Sequence, residues 1–188
     1  MKLNYRLFTF TVILIAITTL SKLFFSPKLA WSGFSPVIAI ALFSGMMVKD
    51  KSTSFLLPLL ALFISDLIIE VLFRVHLFPF AGLYTYQLLN YSLLLITTLL
   101  GWALKGKTYT NVFIGAIAAP TLFFLLSNFS VWVSAQLTYS RDINGLVACI
   151  VNGLPFYKHS VAATLIYLPS FLLLYNGLIK KQSGLIIA

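Results

Sequence analysis

The sequence has 188 residues, of which 60% are hydrophobic and only 9% are charged, and its formal net charge is +9. The surface of a soluble globular domain of this size carries more charge than that, so the composition excludes a water-soluble or secreted domain. A membrane span needs about 20 apolar residues to cross about 30 Å of hydrocarbon. We therefore predict an all-α integral membrane protein, a bundle of about six transmembrane helices in a single domain, residues 1–188.

The apolar stretches predict the spans in chain order at residues 7–25, 36–48, 55–73, 86–104, 111–133 and 161–179. The first stretch is too long for a signal peptide, and no small-residue cleavage site follows it. The second is short for a crossing, and Pro36 suits the first turn of a helix, so this stretch is either a short span or a partly inserted one.

A further apolar stretch, residues 145–156, lies before the last predicted span. It is only about twelve residues long, which predicts a short re-entrant or interfacial segment rather than a crossing. Its glycines and Pro155 permit irregular backbone only where protein or a cavity shelters it.

Lysine and arginine in short loops predict the orientation, because they are retained on the cytoplasmic side. The N-terminus, the second and fourth loops and the C-terminus together carry eight of them, against five in the alternate loops, where we count Lys22 and Lys28. We therefore predict a multi-pass protein of the bacterial plasma (inner) membrane with both termini cytoplasmic. Topology and anionic lipid head groups account for the net charge, so no nucleic-acid partner is expected.

The sequence offers little catalytic chemistry. Its single cysteine, Cys149, excludes an intramolecular disulfide and a Cys-rich metal site. There is no phosphate-binding GxxxxGK[ST] loop, no HExxH zinc helix and no glycine-rich dinucleotide turn. We expect no metal, no cofactor, no catalytic residue and no ATP hydrolysis by the chain itself, and therefore not an enzyme.

Two carboxylates lie inside the third predicted helix, the only span to which we assign charged residues. An ionised group at the bilayer centre costs about 2.5–3.5 kcal/mol, so such residues need a reason to be there. Glu70 is followed one turn later by Arg74, and we predict that these two form a pair near the membrane surface. Asp66 has no such partner on its helix. It is either a polar anchor for substrate or loop backbone in a cavity, or a structural hydrogen bond between helices.

A second polar group lies on the fifth predicted helix and the residues that follow it. Asn128, Trp132 and Gln136 are spaced four residues apart and share one helical face, although Trp132 also has an ordinary explanation as an interface anchor. Mid-span polar groups need partners, and a shared cavity beneath residues 145–156 would supply them. The predicted substrate-binding residues are Asp66, Asn128, Trp132, Tyr139 and Asn152.

Several short motifs, in order along the chain, resemble those of a known family. They are Phe34-Ser35-Pro36-Val37-x-Ala39-x-Ala41-Leu42-Phe43-x-Gly45, Leu57-Pro58-Leu59, Ser65-Asp66, Ser127-Asn128-Phe129-x-Val131-Trp132, Gly145-Leu146-x-x-Cys149 and Leu154-Pro155-Phe156. The chain resembles a family of uncharacterised bacterial membrane proteins described as transport proteins, which are similar to the substrate-binding S components of energy-coupling-factor (ECF) vitamin transporters. The resemblance implies a six-helix protein that binds a vitamin-like small molecule from outside and docks on a transmembrane coupling subunit driven by ATPases.

One departure from S components concerns docking. Their first helix often carries an Ala-x-x-x-Ala pattern, whereas the first helix here offers only Ala16. The small pairs Ala41/Gly45 and Gly115/Ala119 permit close helix approach, but such pairs are more often internal packing seams than docking faces. Two hypotheses therefore stand. The first is a substrate-binding subunit of an ECF-type vitamin or micronutrient uptake transporter, and the second is a non-catalytic structural or assembly subunit of a larger membrane complex.

Overall fold

The computed structural model describes residues 5–105, 108–134 and 138–180, and every regular element in these ranges is helical. The six α-helices are α1 (Tyr5–Phe25), α2 (Val37–Met47), α3 (Lys51–Arg74), α4 (Gln87–Leu104), α5 (Tyr109–Ser134) and α6 (Ile143–Tyr175). A short 3-10 turn, Leu29–Trp31, precedes α2, and a π-helical turn, Asn176–Lys180, continues α6. The predicted fold class, a helical membrane bundle, is confirmed.

Five of these helices, all except α2, are long and apolar enough to cross a membrane. The chain is therefore a multi-pass membrane protein surrounded by lipid. Helix α2 has 11 residues, which span about 16 Å, only about half of the hydrocarbon thickness.

Helix α2 is instead the centre of the bundle. Every residue from Ile38 to Gly45 is buried, and α3, α4, α5 and α6 all pack against the helix. Gly45 meets Gly101 of α4, and a Cβ atom on either glycine would press into the backbone of the other helix. The interpretation of Ala41/Gly45 as an internal packing seam is confirmed.

A proline inside α3 shows how the bundle satisfies backbone groups that have no access to water. Pro58 has no N–H, so the carbonyl of Ser54, one turn earlier, loses its usual partner within the helix. The hydroxyl of Ser44 on α2 donates to that carbonyl at 2.6 Å. The hydrogen bond that proline removes is thus replaced from the central helix, as apolar surroundings require.

The predicted separate segment at residues 145–156 is wrong, because these residues form the first part of α6, one helix of 33 residues. The side chain of Asp142 caps its start by accepting a hydrogen bond from the backbone N–H of Gly145 at 2.7 Å, and this bond holds the pKa of Asp142 below its usual range. Gly145, Cys149 and Gly153 are buried at four-residue spacing. Cys149 and Gly153 contact Asn128 of α5, and a Cβ atom on Gly145 would meet the carbonyl of Ser140 in the preceding connection, so these small residues mark a packing face.

Three connections meet at the end of the bundle where α1, α3 and α5 end and α2, α4 and α6 begin. Their described parts are residues 26–36, 75–86 and 138–142. We refer to this as the loop end of the bundle. The first two connections turn inward and line a cavity together with the helices, which is where irregular backbone is tolerated at membrane depth.

Candidate functional site

A buried ion pair joins α1 to α3. The ammonium of Lys22 donates to the Oδ1 atom of Asp66 and, at 2.7 Å, to the hydroxyl of Ser65. The Asp66 side chain is 4% exposed and that of Lys22 is 16% exposed. Asp66 lies eight residues, or about 12 Å, before the end of α3, and Lys22 reaches it from the last turn of α1.

The sequence analysis missed Lys22, because it counted this residue as a loop charge. The structure places Lys22 in the last turn of α1, inside a membrane-spanning helix. A signal was available, since residue 22 falls within the first predicted span, 7–25, and a carboxylate at mid-membrane depth needs a cation. The statement that only the third helix carries charged residues is therefore wrong.

The other oxygen of Asp66 is held by α4. Its Oδ2 atom accepts hydrogen bonds from the side-chain amide of Gln87 at 2.8 Å and from the hydroxyl of Tyr91 at 3.2 Å. The Gln87 amide also donates to the Tyr91 hydroxyl at 2.7 Å. Sequence reasoning did not single out Gln87 or Tyr91. One carboxylate thus ties α1, α3 and α4 together, and both of its oxygens have partners, which a buried charge requires.

The ion pair borders a cavity of about 450 Å³ at the loop end of the bundle. Its walls combine aromatic, aliphatic and serine side chains, with rings contributed by Phe25, Trp31, Phe34, Phe78, Phe80, Tyr84 and Phe123. Phe25 lies 4.9 Å from Phe34 and 5.6 Å from Trp31 between ring centroids. We call this the ion-pair cavity. A few polar groups at the base of an apolar, aromatic pocket are typical of sites that bind small molecules.

The 75–86 loop forms one wall of the ion-pair cavity, and Glu70 holds this loop through hydrogen bonds. Its Oε2 atom accepts the backbone N–H groups of Gly82 at 3.1 Å and Leu83 at 3.2 Å, while Oε1 accepts from Arg74 at 2.8 Å. A Cβ atom on Gly82 would press into the backbone of α3, so the loop lies directly on that helix. The predicted Glu70–Arg74 pair is present, and the carboxylate also positions a loop.

Tyr84 contributes a hydroxyl to this loop. The side-chain amide of Asn90 donates to it at 2.8 Å. Burial raises the pKa of Tyr84 above its ordinary value, the nearby charge of Asp66 raises it further, and the hydrogen bond from Asn90 acts in the opposite direction. The phenol therefore keeps its proton at neutral pH and remains a hydrogen-bond donor.

Helix α6 fastens the second wall, the 26–36 loop. The hydroxyl of Ser160 donates to the carbonyl of Gly33 at 3.1 Å, and the Nδ1 atom of His159 lies 3.1 Å from the carbonyl of Ser32. Trp31 stacks on the His159 ring at 5.9 Å. Gly33 has a φ of +90°, and a Cβ atom there would meet the backbone of Phe156, so only glycine fits this contact.

Comparison with known families gives a match over residues 1–184 to a family model described as "Family of unknown function (DUF6580)". The chain belongs to this family. No curated protein and no solved structure matches the chain. Membership of DUF6580 assigns no activity, so function has to be argued from the chemistry of the site.

This DUF6580 member has a second cavity, of about 500 Å³, between α5 and α6. Asn128, Tyr139 and Asn152 line it, and their polar groups already have partners. Asn128 donates to the Phe124 carbonyl at 2.8 Å, and the Asn152 amide donates to the Tyr139 hydroxyl at 3.3 Å. We call this the amide cavity.

The predicted residues therefore do not share one pocket. Asp66 lines the ion-pair cavity, whereas Asn128, Tyr139 and Asn152 line the amide cavity, and the expectation of a single cavity is wrong. The two cavities share the wall formed by Ser32, Gly33, Phe123 and Ser160.

Trp132 lines neither cavity. Its indole N–H donates to the carbonyl of Ser140 at 2.9 Å, and its ring lies against Phe129. It thereby ties the end of α5 to the residues just before α6. Gln136 lies outside the described residues. The binding role of all five predicted residues stays a prediction.

Proposed function

We propose that this protein is the membrane-embedded substrate-binding subunit of an ECF-type transporter that takes up a vitamin or micronutrient. It would lie in the plasma membrane of a bacterium with both termini cytoplasmic. The observation that carries the proposal is the buried Lys22–Asp66 pair at the base of an aromatic cavity.

The free-energy cost of burying this ion pair supports a binding role. Removing two charges from water into a bundle within lipid is costly, and well-packed apolar side chains often stabilise a fold as well as a buried pair does. A pair needed only to join α1 and α3 would be enclosed by packed side chains. Here Lys22 and Asp66 border about 450 Å³ of open space. Such a pair can act on a molecule that enters the cavity.

The direction of transport follows from the charge bias. With both termini cytoplasmic, the loop end of the bundle faces outward, and the 26–36 and 75–86 loops stand between the medium and the cavity. A ligand would arrive from outside, as uptake requires. The sequence contains no phosphate-binding loop, so the energy would come from ATPases on a transmembrane coupling subunit.

The direct test is to identify what the protein carries. The full chain is purified from its native membrane in mild detergent, and small molecules released on denaturation are identified by mass spectrometry. The variant Ser26→Trp places a large ring at the cavity lining, and Ser92→Trp places one on an exposed face of α4 as the matched control. We expect one compound with the wild type and with Ser92→Trp, and its loss with Ser26→Trp.

Affinity purification in the same preparation tests the partner. ATPase subunits that co-purify with the chain support the transporter. A chain that carries no compound and purifies only with a larger membrane complex contradicts the proposal and supports a structural or assembly subunit.

A further inference from the structure

We infer that the ligand of the ion-pair cavity is a flat, uncharged heteroaromatic compound that presents a hydrogen-bond acceptor to Lys22. The inference rests on the proposed binding function and adds the chemical class of the ligand. It follows from how the hydrogen bonds of Lys22 and Asp66 are distributed, from the charges around the cavity and from its aromatic walls.

Lys22 has hydrogen-bonding capacity left over. An ammonium group has three N–H donors and no acceptor. Two of them reach Asp66 and Ser65, and no other acceptor contacts the group among the residues that the structure describes. The side chain lines the cavity and retains 16% exposure. The third N–H is therefore left for a molecule in the cavity, which must supply an acceptor such as a carbonyl oxygen or a ring nitrogen.

Both carboxylate oxygens of Asp66, in contrast, already accept hydrogen bonds. Oδ1 accepts from Lys22, and Oδ2 accepts from Gln87 and Tyr91. Its function in the site is to hold the ammonium in place and to neutralise its charge. A ligand cation would have to displace these partners from the carboxylate, so the distribution of hydrogen bonds disfavours a positively charged ligand.

The net charge of the site disfavours an anion as well. Among the described residues that line the cavity, only Lys22 and Asp66 are charged, and together their charges cancel. An anion would bring an uncompensated charge beside a pair whose own charges already cancel, and a charge without a partner is costly within a membrane bundle. An uncharged acceptor satisfies the third N–H of Lys22 without that cost.

The walls indicate the shape. Phe25, Trp31 and Phe34 form one group of rings, and Phe78 and Phe80 approach each other across 6.2 Å on the 75–86 loop. Trp31 is 46% exposed and Phe80 is 53% exposed in the structure. Aromatic faces pair best with other flat π systems in offset or edge-to-face arrangements. A planar ring fits between the two loops better than a flexible aliphatic chain of equal volume.

The test uses the purified full chain and the compound released from it. The double variant Lys22→Gln/Asp66→Asn removes both charges together and keeps one donor and one acceptor at the pair. Tyr157 lines the amide cavity, and Tyr157→Phe, which removes the 2.8 Å hydrogen bond between this residue and Thr121, is the control. Affinity is measured by calorimetry, and folding by size exclusion and thermal unfolding.

We expect the released compound to be uncharged at pH 7 and to show heteroaromatic ultraviolet absorption. The double variant should bind it with a loss of at most about tenfold, the scale of one hydrogen bond, and Tyr157→Phe should bind it like the wild type. A carboxylate, phosphate or cationic compound overturns the inference while leaving the proposed function standing, as does a loss above about a hundredfold. If the double variant fails to fold, the charge and the ultraviolet absorption of the released compound decide the question. Release of no compound overturns the proposed function itself.

Discussion

The two cavities of this protein are alike in size and differ in chemistry. Their volumes are about 450 Å³ and about 500 Å³, and one wall separates them. The amide cavity is lined by neutral groups that bond to one another, such as Asn152 to Tyr139. The ion-pair cavity contains a buried charge pair held by three helices, and Lys22 retains a donor. Volume alone therefore does not identify a site, whereas the cost of burying its groups and their unused hydrogen bonds do.

The largest effect expected from this difference is on folding. Asp66→Leu leaves Lys22 buried without its counter-charge, which should destabilise the protein by about 3–5 kcal/mol. The double variant Lys22→Met/Asp66→Leu should recover much of that loss, because no charge remains unpaired. Thermal unfolding in detergent measures both. If Asp66→Leu were as stable as the wild type, the ion pair would not contribute to the stability of the fold.

Gln87→Met should have the next largest effect on stability. Together with a variant in the amide cavity, it tests which of the two cavities binds the ligand. It removes a donor from the Asp66 carboxylate, and a hydrogen bond to a charged group contributes about 1.5–3 kcal/mol. We expect lower stability and weaker ligand binding. Tyr157→Phe in the amide cavity should cost about 1 kcal/mol without weakening binding. Equal effects of the two variants on affinity would make the cavities one functional unit.

Gly33→Ala tests the wall between the cavities. The positive φ of Gly33 and its contact with Phe156 leave no room for a Cβ atom, so we expect a loss of about 1–3 kcal/mol. The 26–36 loop should then move away from α6. Faster hydrogen exchange at the backbone N–H of Phe34, which donates to the Trp31 carbonyl at 3.0 Å, would report that movement. Gly177→Ala, where a Cβ atom meets open space, is the control for glycine replacement.

The smallest effect is expected from Glu70→Gln, and it should be local. The variant weakens the hold of α3 on Gly82 and Leu83, so hydrogen exchange in the 75–86 loop should rise several-fold and ligand should dissociate faster. Arg74→Gln is the matched control, since it removes the partner of Oε1 and leaves Oε2 with the loop. Similar hydrogen exchange in the two variants would show that the Glu70–Arg74 ion pair, and not the contact of Glu70 with the loop backbone, positions the 75–86 loop.

The sequence was informative wherever a local pattern decides the structure. Composition and the length of apolar stretches identified a bundle of membrane-spanning helices, and the position of Asp66 inside one of them marked it as a residue with a required partner. The same local reading failed at residues 145–156. There, glycines and a proline suggested irregular backbone, but contact with α5 makes those small residues the packing face of a long helix.

The partners of the polar residues depended on the packing of the helices. Lys22 stands 44 residues before Asp66 in the chain and Gln87 stands 21 residues after it, and nothing in their local sequence connects them. Asn128 was predicted to share a cavity with Asp66, yet the Ser32–Gly33 backbone and Phe123 lie in the wall between their cavities. The sequence by itself determined which groups cannot remain alone in lipid, because that cost belongs to each side chain. Only the tertiary structure decided which groups meet, because helix packing sets every distance between residues far apart in the chain.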